Sequence, residues 1–193
     1  GSTGAGRYTD DFMLPGMLWM AVVRSPHAHA RVVRIDGAEA SRLAGVVAVL
    51  ARAELPECAG SVPPLVPAPE FHRYHHPVLA ADRVMHLGEG VAVVVADSAY
   101  IAADAVERVV VEYEPLPIAA TPEAALAPGA PKVHDGWPDN LAGTSEAQTG
   151  DTRSGFAKAD VTVEMRLYYP RVAGMPMEPR GVLASHDAAT GLL

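Results

Sequence analysis

Short apolar blocks separated by turn residues dominate the first fifty positions. The nearly continuous apolar run at 17–23 follows a Pro-Gly pair and predicts a strand buried on both faces. Residues 31–35 predict a second strand and residues 46–50 a third. Between them, Asp36 and Glu39 have the capping-box spacing, so we expect a short helix there. The order is therefore strand, strand, helix, strand.

The next part of the chain repeats strand and helix. Residues 91–96 are uncharged and mostly β-branched, which predicts a central strand, and the glycines before it suit a tight turn. Asp97 or Ser98 can cap a following helix, whose apolar residues recur at helical spacing. Residues 109–113 predict a further strand that ends at Pro115, because proline supplies no amide to a ladder.

The remaining residues are less regular. Residues 121–157 are rich in Pro, Gly, Ala, Asp and Thr, which predicts a connecting segment with short helices at 122–126 and 155–159. Alternating apolar residues at 160–169 predict a long strand, and 181–185 the start of another. Residues 191–193 resemble a turn into a further strand, so we expect the chain to be part of a longer one.

One segment, 56–77, has no sustained periodicity. It contains six prolines, three histidines and Cys58. Long loops inside compact domains are usually functional, contact a partner or are disordered. We therefore expect this loop to be an insertion that packs on another part of a larger assembly.

Composition narrows the function. The 193 residues carry 15 Lys and Arg against 23 Asp and Glu, a net charge of −8, which argues against nucleic acid or an anionic membrane as partner. A single cysteine excludes an internal disulfide framework and a cysteine-ligated iron–sulfur cluster built from these residues alone. No apolar run is long enough to cross a membrane, and we expect a cytoplasmic protein.

Histidines are the first candidates for chemistry. His72 and His76 have the spacing of two ligands on one helical turn, but Pro77 ends any helix there, so surface-loop histidines are the favoured interpretation. His27 and His29 alternate along an extended segment, and packing or hydrogen bonding is the expected role. The residues therefore predict no metal site.

Two carboxylates are candidates for binding. Glu89 lies between two glycines before the expected central strand, where it can meet a ligand or cap a backbone; capping is favoured. Glu178 precedes a proline that fixes its backbone, and either a pocket residue or an ordinary ion pair fits. No nucleophile, Cys/His pair or paired-carboxylate arrangement stands out, so the residues by themselves predict no catalytic site.

The order of local motifs resembles the large, molybdopterin-binding subunit of the molybdenum hydroxylases, the aldehyde oxidase, xanthine dehydrogenase and carbon monoxide dehydrogenase family. The motifs run nearly end to end: RYTDD (7–11), PGML (15–18), RSPHAHAR (24–31), GVVAVL (45–50), PVLA (77–80), GEGVAVVVA (88–96), VEYEPLP (111–117) and MEPRG (177–181). Gly90 departs from the family, which commonly has proline there, and we expect it to loosen the turn.

The resemblance implies an α+β fold. It places an α/β-hammerhead domain at 5–120, a linker at 121–157 and the first strands of a truncated molybdopterin-binding domain at 158–193. It also implies a molybdenum cofactor in the parent enzyme but none in this chain, with iron–sulfur clusters and FAD on partner modules. Glu89 and Glu178 would lie near the cofactor lobe, and no catalytic residue of the family is carried over.

Three functions compete at this point. The leading hypothesis is an N-terminal scaffold fragment of such an oxidoreductase, inactive alone and partnered by the rest of its subunit and by iron–sulfur and flavin modules. The alternative is a self-standing module that binds a ligand or protein through the 56–77 loop. A metal-dependent enzyme using His72 and His76 ranks last.

Overall fold

The computed structural model describes residues 6–56, 60–64, 71–170, 172–176, 178 and 180–193. Two compact units are present: Leu18–Ala147, and the residues up to Met17 together with Gln148–Leu193. The strands are β1 (Trp19–Arg24), β2 (Ala30–Asp36), β3 (Val46–Ala51), β4 (Ser61–Val62), β5 (His76–Pro77), β6 (Arg83–Val84), β7 (Gly90–Ala96) and β8 (Val110–Pro115). The α-helices are α1 (Ala38–Ser41), α2 (Ala99–Val106), α3 (Pro122–Leu126) and α4 (Thr152–Ala157), and 3-10 turns lie at Thr9–Asp11 and Arg52–Glu54.

Strand β7 is the centre of the first sheet, whose order is β1-β7-β3 with both pairings antiparallel. Val91, Ala92 and Val94 are fully buried, so the prediction of a central strand at 91–96 is confirmed. The prediction that 17–23 is buried on both faces is wrong. Met20 in β1 is 66% exposed, because β1 is an edge strand and its second face is not covered.

A second sheet has the order β6-β2-β8, again antiparallel. Ala30 at the start of β2 pairs with Pro115 at the end of β8 and with Val84 of β6. The predicted strands at 31–35 and 109–113 are thus confirmed, and β8 ends at the predicted proline. The two sheets and α2 enclose one core of small aliphatic side chains, mainly valine and alanine.

The two helices of this unit begin in different ways. Ser98 caps α2, accepting a hydrogen bond from the Ile101 amide at 3.2 Å, as one of the two predicted caps. The capping box predicted for α1 is wrong, since its N-cap is Gly37, which has no side chain. Asp36 instead accepts a hydrogen bond from the Ala38 amide at 2.9 Å. The aspartate therefore helps to begin the helix from the position before the N-cap.

The 56–77 segment is partly regular. Within it, β4 pairs with β5 through Ser61 with Pro77 and Val62 with His76. Cys58 lies outside the described residues, as do 57, 59 and 65–70. The pairing of β4 with β5 fixes the backbone position of His76.

The unit that contains Gln148–Leu193 departs most from expectation. Helix α4 is present but begins at Thr152, earlier than predicted, because Asp151 accepts from the Ser154 amide at 3.0 Å. Residues 160–169 form no strand, and neither do 181–185, so both strand predictions are wrong. The alternation is real, but no neighbouring strand is hydrogen-bonded to either segment, and a strand needs one. One antiparallel bridge joins Asp187 to Leu192.

In the part of the chain that the structure describes, the helices are all too short or too polar to cross a bilayer.

The burial of β7 predicts which side chains contribute most to the free energy of unfolding. Val94 is fully buried, so Val94→Ala removes two methyl groups from a closed core, and we expect the free energy of unfolding to fall by about 2 kcal/mol. The matched control is Val110→Ala in β8, where the side chain is 57% exposed and the loss should be about 0.5 kcal/mol. Urea unfolding of the three proteins measures both; equal losses would contradict a core centred on β7.

Candidate functional site

The turn that leads from β6 into β7 buries a carboxylate. Glu89 is only 7% exposed, and its Oε2 accepts a hydrogen bond from the Met85 amide at 2.6 Å. The main chain is held on the opposite side: the Ser25 amide donates to the Glu89 carbonyl and the Gly88 amide to the Ser25 carbonyl. Gly88 has a φ of +83°, a backbone that favours glycine. The capping role favoured for Glu89 is therefore present.

Gly90 lies where the turn meets β7. Its φ is not positive, and it is the first residue of β7, paired with Arg24. A Cβ at this position would lie 3.1 Å from Val22 and 3.3 Å from Leu79. The glycine thus allows Val22 and Leu79 to pack closely against the start of β7, and the expected loosening of the turn stays a prediction.

Glu89 lies in the wall of an open cleft of about 360 Å³. His76 of β5 and His86 of the turn line the same cleft. The Nδ1 of His86 is 3.4 Å from the Oε2 of Glu89, close enough for an ion pair when the imidazole is protonated. Arg24 also lines the cleft, but it donates to the Gly88 carbonyl at 2.9 Å.

Six ring side chains form a continuous series of contacts beside this cleft. His72 contacts Trp137 (4.9 Å between ring centres), Trp137 contacts His134 (4.4 Å) and His134 contacts Tyr74 (4.3 Å). Tyr74 then meets the edge of His76 (4.7 Å), and His76 meets His86 (5.9 Å). We call this series the ring cluster, defined by His72, Tyr74, His76, His86, His134 and Trp137.

The ring cluster separates the two histidines that the sequence paired. His72 lies against Trp137, whereas His76 lies between Tyr74 and His86. Sequence reasoning missed His134 and Trp137 because they are far from 72–76 along the chain. It missed His86 because that residue shares no motif with the 72–76 histidines. No set of three or more metal-ligating side chains meets at one point in the described residues.

Burial sets the protonation of the ring cluster. It lowers the pKa of His134, and electrostatic interactions with His76 and His29 lower it further, so the neutral imidazole of His134 is favoured. Burial raises the pKa of Tyr74, with the charges of Glu89 and Asp82 adding to the effect. Next to His134, the Arg83 guanidinium donates to Asp135 at 2.8 Å and holds the pKa of that carboxyl below its usual range.

His27 and His29 have structural contacts, in keeping with the favoured interpretation. The ring of His27 lies 4.9 Å from that of Tyr113. The Nδ1 of His29 is 2.7 Å from the Pro117 carbonyl, which can only accept, so this nitrogen carries the proton. Among the described residues, the buried His29 Nε2 has no hydrogen-bond partner.

Glu178 belongs to the other unit and is exposed. Its Oε1 accepts from the Thr9 amide at 3.1 Å and from the Thr9 hydroxyl at 3.2 Å. These two hydrogen bonds therefore connect Glu178 to the 3-10 turn at Thr9–Asp11. The structure does not bring Glu178 and Glu89 together within one unit, and a place for either near a cofactor stays a prediction.

The residues after 154 do not form a cofactor cradle by themselves. Every described residue from 155 to 193 is exposed. An open cleft beside α4, about 360 Å³ in volume, is lined by Phe156, Val161 and Val163 with small neighbours, and no charged side chain lines it. A pterin cofactor needs convergent polar groups in a closed pocket. These residues alone do not fit such a group, so no reaction step is derived from them.

Comparison with known proteins gives two family matches in succession. Residues 3–117 match the aldehyde oxidase and xanthine dehydrogenase a/b hammerhead domain, and residues 133–193 match the molybdopterin cofactor-binding domain. The motif resemblance and the α+β fold class are therefore confirmed. The domain boundaries at 120 and 157 stay predictions.

Two curated relatives are each 38% identical to this chain. The carbon monoxide dehydrogenase large chain of Afipia carboxidovorans matches 98% of the chain and 24% of its own length. The 6-hydroxypseudooxynicotine dehydrogenase complex subunit gamma of Paenarthrobacter nicotinovorans matches 99% and 24%. The chain thus spans about a quarter of the length of the relatives it matches.

Solved structures agree with these matches. Quinoline 2-oxidoreductase from Pseudomonas putida 86 aligns with a TM-score of 0.68 and 42% identity, over 73% of this chain and 18% of its own. Aldehyde oxidoreductase from Desulfovibrio gigas aligns with a TM-score of 0.73 and 32% identity, over 83% and 18%.

Because the Glu89 carboxylate is buried, we expect two substitutions of this residue to differ in their effect on the free energy of unfolding. Glu89→Ala leaves the Met85 amide without its acceptor, so we expect the free energy of unfolding to fall by about 1–3 kcal/mol. Glu89→Gln keeps a carbonyl oxygen for that amide and should lose less than half as much. Chemical unfolding measures both, and equal losses would show that the charge, not the hydrogen bond, is what the turn needs.

His134 predicts acid sensitivity. Its folded pKa lies below the unfolded value of 6.5, so the unfolded chain binds more protons, and stability is lost as the pH falls through that value. His134→Phe keeps a ring against Tyr74 and Trp137 but cannot titrate. Comparing unfolding at pH 7.5 and 5.5, we expect a smaller decrease for this variant than for the wild type.

The exposed His75 supplies the matched control for that measurement. His75→Phe should leave the difference between pH 7.5 and 5.5 as it is in the wild type. The carboxyl of Asp135 has its lowered pKa below the usual value of 3.8 and so titrates outside this window. A His134→Phe variant with undiminished pH dependence would assign the sensitivity to another group.

Proposed function

Because the chain belongs to the aldehyde oxidase and xanthine dehydrogenase family, we propose that it works as the N-terminal scaffold of a molybdenum-dependent hydroxylase large subunit. One observation carries the proposal: the hammerhead match at 3–117 is followed directly, in the same chain, by the molybdopterin-domain match at 133–193. In this role the Leu18–Ala147 unit supplies a folded body, and the chemistry depends on further residues of the subunit.

The contrast between the two units supports a scaffold role. The Leu18–Ala147 unit has a closed core, whereas every described residue from 155 to 193 is exposed. In the 160–169 segment, the apolar side chains of Val161, Val163, Met165 and Leu167 are each at least 64% exposed. An alternating segment of this kind gains a hydrogen-bonded ladder and a covered face only from strands elsewhere. We propose that the rest of the molybdenum-binding subunit supplies them.

Cofactors and partners follow from the same proposal. The parent enzyme would hold a molybdopterin-type cofactor, which supplies hydroxylation chemistry when bound. Related proteins are named as a large chain, a complex subunit gamma and a molybdenum-binding subunit, which supports further subunits as partners. We propose that iron–sulfur and flavin modules are among them. Glu178 would lie at the entrance to the cofactor lobe.

The substrate stays open within this proposal. Relatives named for carbon monoxide and for 6-hydroxypseudooxynicotine are both 38% identical to this chain. Because the chain is equally similar to enzymes named for such different compounds, we propose that other parts of the subunit determine the substrate.

The proposal predicts that the chain needs the rest of its subunit to hold molybdenum. We expect the 193 residues purified alone to contain no molybdenum and no pterin. When the chain is co-expressed with the downstream part of a related large subunit as a second polypeptide, the two polypeptides should copurify. The complex should then contain both molybdenum and pterin. Elemental analysis and pterin fluorescence measure this, and stoichiometric molybdenum and pterin on the chain alone would overturn the scaffold role.

A matched pair of variants tests the contact itself. Val163→Asp places a charge on the apolar side of the 160–169 segment and should abolish copurification. Thr162→Asp places the same charge on the other side and should retain it. Hydrogen exchange should slow at 160–169 in the complex. A chain that never associates with the downstream part would favour a self-standing binding module.

A further inference from the structure

The cleft between β5 and the turn that precedes β7 brings together two imidazoles and one carboxylate. We propose that His86 and Glu89, joined by His76, bind a divalent transition-metal ion such as Zn²⁺. This site lies wholly within the Leu18–Ala147 unit. The ligand types, two histidines and one glutamate, are among those that zinc takes in proteins.

The first two ligands already have the required separation. The Nδ1 of His86 and the Oε2 of Glu89 are 3.4 Å apart. Two ligand atoms, each about 2.0–2.1 Å from a tetrahedral zinc ion, lie roughly 3.3 Å from each other. One ion can therefore bind both atoms without a change in the backbone of the turn.

His76 completes the set by a side-chain rotation. Its ring centre is 5.9 Å from that of His86, and the two rings are perpendicular. Imidazoles that share a tetrahedral zinc ion have ring centres about 5–6 Å apart. The three side chains do not surround one point as they stand in the described residues. His76 is exposed, so its ring can turn from the edge contact with Tyr74 while its pairing with Val62 holds the backbone.

The carboxylate is prepared for such an ion. Glu89 is 7% exposed, and a buried carboxylate is costly unless it is paired. The Met85 amide orients its Oε2 at 2.6 Å, as hydrogen bonds from outside the ligand set do in metal sites. The nearby Arg24 cation works against a dication, but its guanidinium is directed to the Gly88 carbonyl. We therefore expect micromolar rather than nanomolar affinity.

A bound ion would join the end of the 56–77 loop to the β6–β7 turn. His76 belongs to β5, within the 56–77 loop, and His86 and Glu89 belong to the β6–β7 turn. Since the ion binds only the folded arrangement, it should raise the thermal midpoint, and above the Kd the increase should grow with the logarithm of the free Zn²⁺ concentration. The loop would then be held against the body of the unit by coordination as well as by ring contacts.

Calorimetric titration of the untagged 193-residue chain with ZnCl₂ at pH 7.5 tests the site. We expect one equivalent of Zn²⁺ to bind, and Co²⁺ to give the visible absorption of a tetrahedral site. His86→Ala should weaken binding at least tenfold. Glu89→Gln should do the same while keeping an acceptor for the Met85 amide, so its loss of affinity does not depend on unfolding of the turn.

His72→Ala is the matched control, because His72 is also in the ring cluster but lies against Trp137. Its affinity for Zn²⁺ should equal that of the wild type. Circular dichroism checks that each variant is folded. No binding at about 100 μM Zn²⁺, binding that His86→Ala leaves unchanged, or an equal loss in His72→Ala would each overturn the proposal.

Discussion

The hydrogen-bonded position of β7 between β1 and β3 is the constraint on which the Leu18–Ala147 unit depends. A strand paired on both sides satisfies its backbone inside the core, and its valine and alanine side chains are buried without any polar group to compensate. The positions of both ends of β7 are therefore fixed by the sheet. At its start lies the turn with Glu89, and at its end Ser98 begins α2, which packs against β1 and β7.

The candidate site follows from that fixed start. The exchange of backbone hydrogen bonds between Ser25 and residues 88–89 joins the turn to the chain just after β1, and the Glu89 carboxylate closes the turn from within. His86 is placed at the cleft by this turn, and His76 by the pairing of β5 with β4. A rigid scaffold thus holds side chains that come from a loop and a turn, an arrangement common in binding sites.

Local signals explain which features could be predicted from the sequence. The β-branched run at 91–96 and the serine before α2 depend on residues that are close to them in the chain. The local sequence pattern was therefore sufficient to predict the strand and the helix cap. The 160–169 segment has an equally clear alternation, yet it forms no strand, because a strand is defined by a partner that the pattern does not contain. The ring cluster could not be predicted from the sequence. His134 and Trp137 come close to Tyr74 only through tertiary packing, and the residues next to them in the chain give no sign of these contacts.

The same distinction bears on function. Similarity to the family extends over both matched regions, but the closed core ends within the first of them, and every described residue from 155 to 193 is exposed. A cofactor pocket requires convergent polar groups with water excluded, and exposed side chains supply neither. What the Leu18–Ala147 unit specifies is antiparallel sheets, a capped helix and a buried turn carboxylate. Those features constrain the shape of this unit and hold Glu89 in the wall of its cleft.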